Sequence, residues 1–286
     1  RLNAEGEITQ QWRLNGAITN ADAQDRWMLT TPVSYPADGT AMNTLRKSAA
    51  NIRLGEYIAD ATAESIARYG LDTPRLVIRL HQAAGTIGTV GTTGSYAATD
   101  YPEATITLVI GEQESDLVDY VLYDGGIYRC STLLLRGVMN ADWQETITRY
   151  PVLTALGNLA SLSRETADGV DTWVITRTEQ VAENNELVTD DEGNQVYDIT
   201  LTKNGESADY TAFSAAYNQL MMVTMSGRLP DDWTAADAPH TVWTFTDVDG
   251  TVHTVALTRY DAMHDAVAVD GVALFYLIQG GFSLGI

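Results

Sequence analysis

Two aspartates that lie two positions apart, Asp247 and Asp249, are the residues of this sequence most typical of catalysis. They are followed directly by Gly250 and Thr251, so both carboxylates stand at the start of a turn. In such an arrangement the first carboxylate can attack phosphorus as a nucleophile, and the second can transfer a proton. The segment therefore suggests a hydrolase that acts on phosphate esters.

The elements around this segment do not favour that chemistry. Haloacid-dehalogenase-type phosphatases, whose motif begins Asp-x-Asp-Gly-Thr, need a buried parallel strand that leads into a doubly wound domain. Only 35 residues follow Thr251, and their pattern indicates further strands. Because residues 252–258 alternate and follow an Asp-Gly turn, we predict that they pair with residues 242–246. A hydrolase centred on Asp247 and Asp249 is therefore kept only as an alternative.

A second candidate is the glycine-rich segment 85–94, in which glycine occurs at every third position. A phosphate-binding loop needs a following helix and usually a Gly-Lys-Ser/Thr ending, and the sequence shows neither of these. The segment lies between two predicted strands, 76–80 and 104–110. Connections of about 20 residues are commonly disordered or functional. We expect a flexible connection here, with a partner-binding loop or a lid as the second interpretation.

The remaining candidates for metal or nucleophilic chemistry are weak. The acidic stretch 183–194 lacks the spacing of an EF-hand, and we interpret it as a solvated hairpin tip. The single cysteine, Cys130, has no neighbouring base in the sequence and is predicted to be a buried structural thiol. The histidines show no metal-ligand spacing; they are His81, His240, His253 and His264. We therefore assign no catalytic, cofactor-binding or metal-binding residue and expect a protein that is not an enzyme.

The elements that would carry these residues repeat along the chain. Each half shows a strand, a turn, a helix with apolar residues three to four positions apart, further alternating strands, and a hairpin with an Asp-Gly turn. Alternation is typical of antiparallel sheets with one face on a core. The pattern predicts an α+β fold made of two diverged copies of one sheet-plus-helix unit. The copies comprise residues 27–33, 42–52, 76–80, 104–110 and 118–131, and residues 196–202, 213–221, 241–246, 251–258 and 266–278.

An additional outer strand precedes each copy, at residues 7–14 and 172–178. Each unit thus has the order strand, strand, helix and several antiparallel strands. Between the copies, apolar residues of the segment 142–161 recur at helical spacing, and Pro151 interrupts them. We predict two lobes joined by a helical connector, with the boundaries 1–139 for the first unit, 140–165 for the connector and 166–286 for the second unit.

The charge of the chain limits its partners. It has 17 Lys and Arg against 38 Asp and Glu, a net charge of −21. Residues 1–150 carry 12 basic and 18 acidic groups, and residues 151–286 carry 5 and 20, so the second half is the more acidic. Such a surface repels phosphate backbones and anionic lipids, so we expect no nucleic-acid binding. No apolar run approaches the roughly 18 residues that span a bilayer, so we expect no direct membrane insertion.

A set of motifs in the first half resembles a known family. Residues 69–74 read Tyr-Gly-Leu-Asp-Thr-Pro, in which Gly70 permits a turn and Pro74 prevents continuation of a helix. We interpret these as folding signals. With the further residues over roughly 25–135, they are similar to the bacterial domain-of-unknown-function family 4340. The further residues are Trp27, Leu29, Thr30, Pro32, Ala37, Asp38, Ile110, Gly111, Tyr120, Tyr123, Asp124, Gly125 and Tyr128.

The resemblance implies an extracytoplasmic protein that an N-terminal helix or lipid anchor holds at the membrane, sometimes encoded beside ABC-type transporters. The chain begins at Arg1, and we expect that such a segment precedes it. The resemblance supplies no catalytic residues. We therefore expect a non-catalytic binding or scaffold module that docks onto an envelope or membrane protein, such as a component of an ABC-type transporter. The alternative is a binder of a small ligand or glycan in a cleft between the lobes.

Overall fold

The protein is a mixed α+β chain in which strands outnumber helices. The chain divides into two compact units, Arg1–Ile147 and Thr148–Ile286. This division lies within the segment 140–165 that the sequence analysis assigns to a connector. The computed structural model describes residues 11, 13–15, 27–90, 96–182, 187–190, 193 and 195–285.

The first unit contains short and long strands with helices between them. The helix α2 (Ala63–Arg68) begins at a reciprocal capping box, in which the side chains of Thr62 and Ser65 accept each other's backbone N–H groups. In chain order the described elements are β1 (Arg13–Asn15), β2 (Met28–Thr31), β3 (Tyr35–Pro36), α1 (Gly39–Ala50), β4 (Leu54–Asp60), α2 (Ala63–Arg68), β5 (Leu76–Gln82), β6 (Gly85–Val90), β7 (Tyr96–Tyr101), β8 (Ala104–Ser115), β9 (Val118–Tyr123), β10 (Gly126–Ser131), α3 (Thr132–Met139) and α4 (Trp143–Thr146).

A five-stranded antiparallel sheet, in the order β4-β10-β9-β8-β5, holds the core of the first unit. Helix α3 packs on one face of this sheet through Leu135, which is fully buried. α1 lies against α3, so close that a Cβ atom on Gly137 would collide with Ser48. The predicted Asp-Gly turn between β9 and β10 is confirmed, with positive φ at both of its residues. The buried side chains of the sheet in this core are Ile78, Leu108, Ile110, Val121 and Cys130.

The prediction of a loop at residues 85–94 is wrong over its first part. Residues 85–90 form β6, which pairs with β7, while residues 91–94 lie outside the described residues. The β-branched residues between the glycines favour this extended backbone. Along the chain β5 leads into β6, and β7 leads into β8. Because β5 pairs with β8 and β6 with β7, the four strands form one antiparallel ribbon that continues beyond the five-stranded sheet. Its register is constant, with the pairs Leu76–Ile110, Gln82–Ala104, Gly85–Tyr101 and Val90–Tyr96.

The second unit consists of strands around one long helix. The strands predicted at 172–178, 196–202, 241–246 and 251–258 are present in the structure. The described elements are a 3₁₀ turn (Leu156–Asn158), β11 (Leu159–Thr166), β12 (Gly169–Glu179), β13 (Tyr197–Lys203), β14 (Glu206–Ala208), α5 (Tyr210–Met221), β15 (Gly227–Arg228), β16 (Thr241–Asp247), β17 (Val252–Arg259), β18 (His264–Val269) and β19 (Val272–Ile278).

Nine antiparallel strands form the sheet of the second unit, in the order β14-β13-β12-β11-β16-β17-β18-β19-β15. Helix α5 has a buried face of Phe213, Tyr217 and Leu220. The rings of Trp173 and Trp243, from β12 and β16, are stacked with their centroids 6.5 Å apart. The ring centroids of Phe213 and Trp173 lie 6.3 Å apart, so the helix packs on an aromatic core.

The connector is mostly not helical, which corrects the prediction of a helical connector over 140–165. Within it only α4 and the 3₁₀ turn are helical, and β11 begins at Leu159. Leu159 and Leu162 are both fully buried, although a regular strand would direct residues three apart to opposite faces. A bulge between Leu159 and Ser161 accounts for this spacing. The helix α3, which the sequence analysis does not predict, lies just before this segment.

The two units place several elements in the same order. In the first unit, β4 follows α1 and borders β10, which gives the order β4-β10-β9-β8-β5. In the second unit, β15 follows α5 and borders β19, which gives β15-β19-β18-β17-β16. The last three of these strands in chain order form an antiparallel meander in both units. They are β8, β9 and β10 in the first unit and β17, β18 and β19 in the second. The second sheet differs because it continues beyond β16 through β11, β12, β13 and β14.

Candidate protein-interaction surface

The two aspartates of the phosphatase-like motif lie in a hairpin turn. Asp247 ends β16, and its N–H donates to the carbonyl of Thr251 at 2.8 Å. The Asp249 carboxylate accepts the Thr251 N–H at 2.8 Å, and this hydrogen bond is the main cause that lowers the pKa of Asp249. β16 and β17 pair antiparallel, as predicted. The carboxylate of Asp249 therefore stabilises the turn between two antiparallel strands.

Cys130 is a buried thiol of β10, in agreement with the sequence analysis. Its Sγ donates to the carbonyl of Arg53 at 3.4 Å. Burial raises the pKa of this thiol, and the charge of Asp119, its cross-strand neighbour, raises it further. The thiol is therefore protonated at neutral pH, which disfavours a role as a nucleophile.

The histidines are dispersed over both units. A ring nitrogen of each histidine lies next to a side-chain hydroxyl or carboxylate. Within the part of the chain that the structure describes, no group of three or more His, Cys, Asp or Glu residues is placed to hold a metal ion. The neighbours are Thr105 for His81, Thr241 and Asp265 for His240, Asp270 for His253 and Asp261 for His264.

The acidic stretch 183–194 is described only in part. Residues 183–186, 191, 192 and 194 lie outside the described residues, so its predicted role as a solvated tip stays a prediction. Isolated bridges join the segments that flank it, between Val181 and Leu187 and between Thr189 and Gln195.

Two buried carboxylates, Asp119 and Asp265, are missed by the sequence analysis. Asp119 accepts hydrogen bonds from the guanidinium of Arg75 and, at 2.7 Å, from the hydroxyl of Thr132. It thereby joins β9 to the residue before β5 and to α3. Asp265 faces Nε2 of His240 at 3.2 Å. Arg75 is 44 positions from Asp119, so no local spacing signals the pair. The one signal in the sequence is an aspartate on the inward face of an alternating strand.

An exposed apolar pair marks the ribbon of the first unit. Leu80 on β5 and Ile106 on β8 are paired in register and are 38% and 40% exposed. Ile78 and Leu108, two positions away on the same face, are buried in the core beneath α3. The apolar face of the sheet therefore continues onto the ribbon, where it is open to solvent.

The strand that carries Leu80 also has a free edge. β5 is the last strand of the five-stranded sheet, and no other described strand pairs with its outer side. It runs for seven residues in unbroken register with β8. The other border strand, β4, is bulged against β10, and the border strands β14 and β15 of the second unit have three and two residues. Since an edge strand presents unpaired N–H and C=O groups, β5 is suited to strand addition. We call Leu80, Ile106 and the edge of β5 the ribbon surface.

Comparison with known proteins identifies one family. A family model described as "Domain of unknown function (DUF4340)" matches residues 27–241. This chain belongs to the DUF4340 family. The match confirms the resemblance and extends it beyond residue 135, through most of the second unit. No curated protein and no solved structure shows a significant match to the chain.

The motif that suggested the DUF4340 family has a structural role. Gly70 follows α2 with φ +63°, and a Cβ atom there would collide with Glu112. The carbonyl of Tyr69 accepts the N–H of Glu112 at 3.0 Å, and the rings of Tyr69 and Tyr120 lie 4.5 Å apart. Leu71 is buried. The turn thus fastens α2 to β8 and β9 on the sheet. None of the described helices of this DUF4340 chain combines the length and apolar character needed to cross a membrane.

Proposed function

We propose that this DUF4340 protein is a non-catalytic binding module that docks onto a protein of the bacterial envelope through its ribbon surface. The observation that carries the proposal is the exposed pair Leu80–Ile106, which extends the apolar core face past α3. Exposed apolar side chains beside a free strand edge are typical of sites where a partner adds a strand. The partner contributes main-chain hydrogen bonds along β5 and an apolar side chain next to Leu80.

The partner in this proposal is a protein with a basic surface. The chain carries a net charge of −21, and its surface therefore attracts a basic protein at long range. Opposite charge accelerates encounter and suppresses wrong partners, while the apolar pair supplies the affinity. Added salt should accordingly slow association, because exposed charges are screened beyond about 8 Å at physiological ionic strength.

The cellular place of the protein belongs to the same proposal. We infer that it works outside the cytoplasm, tethered to the membrane by a segment N-terminal to this chain, as an accessory of an ABC-type transporter. Membership of the DUF4340 family supports this, through the properties that the family resemblance implies. Fractionation of the full-length protein, with protease treatment of intact spheroplasts, tests the location. Recovery in washed membranes together with cleavage from outside supports it, and recovery with the cytosol contradicts it.

The two units are proposed to descend from one duplicated unit. The support is the shared order of β4-β10-β9-β8-β5 and β15-β19-β18-β17-β16, each with a helix before its first strand. An experimental structure tests this by superposition of the two five-strand sets. If α1 and α5 lie on the same face of the superimposed sheets, the duplication is supported. Helices on opposite faces would contradict it.

The docking proposal is tested by crosslinking in the native bacterium, followed by mass spectrometry of membrane fractions. The variant Leu80→Glu/Ile106→Lys replaces the apolar pair of the ribbon surface by two opposite charges that face each other across the strands, and circular dichroism checks that the fold is retained. Val174→Glu is a matched control, because Val174 is 42% exposed on β12 of the other unit. We expect one envelope protein that crosslinks to the wild type and the control but not to the double variant. Equal recovery with all three proteins would refute docking at the ribbon surface.

A further inference from the structure

A polar cavity lies between α3 and the turn that joins β8 to β9. Its volume is about 440 Å³, and it is open to solvent. This volume falls within the range of about 300–1,000 Å³ that small-molecule sites occupy. One face of α3 and the bulged end of β8 supply the walls. The lining residues are Gln113, Asp116, Thr132, Arg136, Met139 and Asn140.

The floor of the cavity is held in place by the buried Asp119. The hydroxyl of Thr132 donates to Asp119 at 2.7 Å, and the N–H of Thr132 donates to the carbonyl of Leu117 at 2.9 Å. Arg75 occupies the other oxygen of Asp119. The first turn of α3 is therefore fixed against the β8–β9 turn, and the cavity is formed before any ligand arrives.

The walls carry polar groups that have no partner within the described part of the protein. The guanidinium of Arg136, the carboxylate of Asp116 and the amides of Gln113 and Asn140 form no hydrogen bond or ion pair with a described residue. By contrast, the guanidinium of Arg129 on β10 forms ion pairs with Glu56 and Glu114. A cation, an anion and two amides thus line the cavity with unused hydrogen-bonding capacity.

From this arrangement we infer that the cavity binds a small zwitterion of the α-amino acid class, either free or as a short peptide. The ligand carboxylate binds the guanidinium of Arg136 and an amide N–H of Asn140 or Gln113. The ligand ammonium binds the carboxylate of Asp116, and an apolar ligand side chain lies against Met139. Because the charged groups stay in contact with water, the dissociation constant is on the order of 1 mM.

The test is a titration of the isotope-labelled full chain, followed by amide NMR shifts, with four probes. L-Leucine carries both charges, N-acetyl-L-leucine only the anion, L-leucinamide only the cation, and leucyl-leucine both charges further apart. Arg136→Gln should weaken leucine and N-acetyl-leucine about three- to fivefold and leave leucinamide unchanged. Asp116→Asn should weaken leucine and leucinamide by a similar factor and leave N-acetyl-leucine unchanged.

The control variant is Arg13→Gln, since Arg13 is an exposed arginine on β1 whose side chain also has no described partner. It should bind all four probes as the wild type does. Tighter binding of leucyl-leucine than of leucine assigns the site to a peptide, and the reverse assigns it to the free amino acid; both support the inference. Absence of shifts at the lining residues, or equal weakening by all three variants, overturns it. The outcome is independent of the ribbon surface, because none of these variants changes a residue of that surface.

Discussion

At the scale of single residues, Asp119 is a buried polar group that joins three parts of the first unit. It is fully buried and accepts hydrogen bonds from both Arg75 and Thr132. Asp119→Ala leaves two donors without their acceptor, and we expect a loss of about 2–3 kcal/mol in the free energy of unfolding. Urea unfolding measures this loss.

The control for that experiment is Asp116→Ala. Asp116 lies in the same hairpin, is exposed and has no described partner, so its removal should change stability by less than about 0.5 kcal/mol. If the two variants proved equally stable, Asp119 would not have the structural role given to it here.

Cys130 makes stability depend on pH in the alkaline range. Burial and Asp119 raise the pKa of its thiol in the folded state, whereas the unfolded thiol titrates near about 8.5. The folded state therefore binds this proton more tightly. Its contribution is complete below about pH 8.5 and is lost as pH rises through the folded pKa. Urea unfolding at pH 7 and pH 9.5 should show a larger decline for the wild type than for Cys130→Val. Identical declines would exclude a contribution from Cys130.

Residue-scale prediction from the sequence succeeds where the cause is local. The Asp-Gly turns and the turn at Gly70 are recognisable because a positive φ favours particular residues at fixed positions. The burial of Cys130 follows from its place in an alternating strand. The pair Arg75–Asp119 is not recognisable, since only the folded sheet brings β5 next to β9 through β8.

At the scale of elements, the turn between α2 and β5 explains the family motif. Gly70 combines a positive φ with a close approach to Glu112, whereas Gly125 has φ +74° and open space around it. Gly70→Ala should therefore cost more than the roughly 1–2 kcal/mol of a left-handed alanine alone, and Gly125→Ala should cost about that amount. Thermal or urea unfolding of both variants compares them. A Gly70→Ala protein as stable as Gly125→Ala would mean that Glu112 moves aside freely.

Elements are mispredicted where the spacing of their apolar residues or glycines is typical of a different structure. In β11 a bulge lets Leu159 and Leu162 point to the same side, so a strand shows helical spacing. In β6 the glycines at every third position obscure a strand whose partner, β7, begins only at Tyr96. The ribbon surface follows from this pairing, because the sequence identifies neither the edge of β5 nor the length of α3 that leaves Leu80 uncovered.

At the scale of the whole molecule, the chain has two cores. The core of the first unit is formed by its own sheet and α3, and that of the second by its own sheet and α5. Both units fall within the usual domain size of about 50–250 residues. We expect the fragments 1–147 and 148–286 each to unfold cooperatively when expressed alone, as followed by near-ultraviolet circular dichroism. A fragment without a cooperative transition would show that its core needs the other unit.

The central claim is that the ribbon surface binds an envelope protein, and site-specific photocrosslinking tests it most directly. A photoreactive amino acid is placed at position 80 or, as the control, at position 174 of the full-length protein in living cells. We expect one abundant adduct with an envelope protein from position 80 and none of that adduct from position 174. No specific adduct at position 80, or the same adduct from both positions, would contradict it.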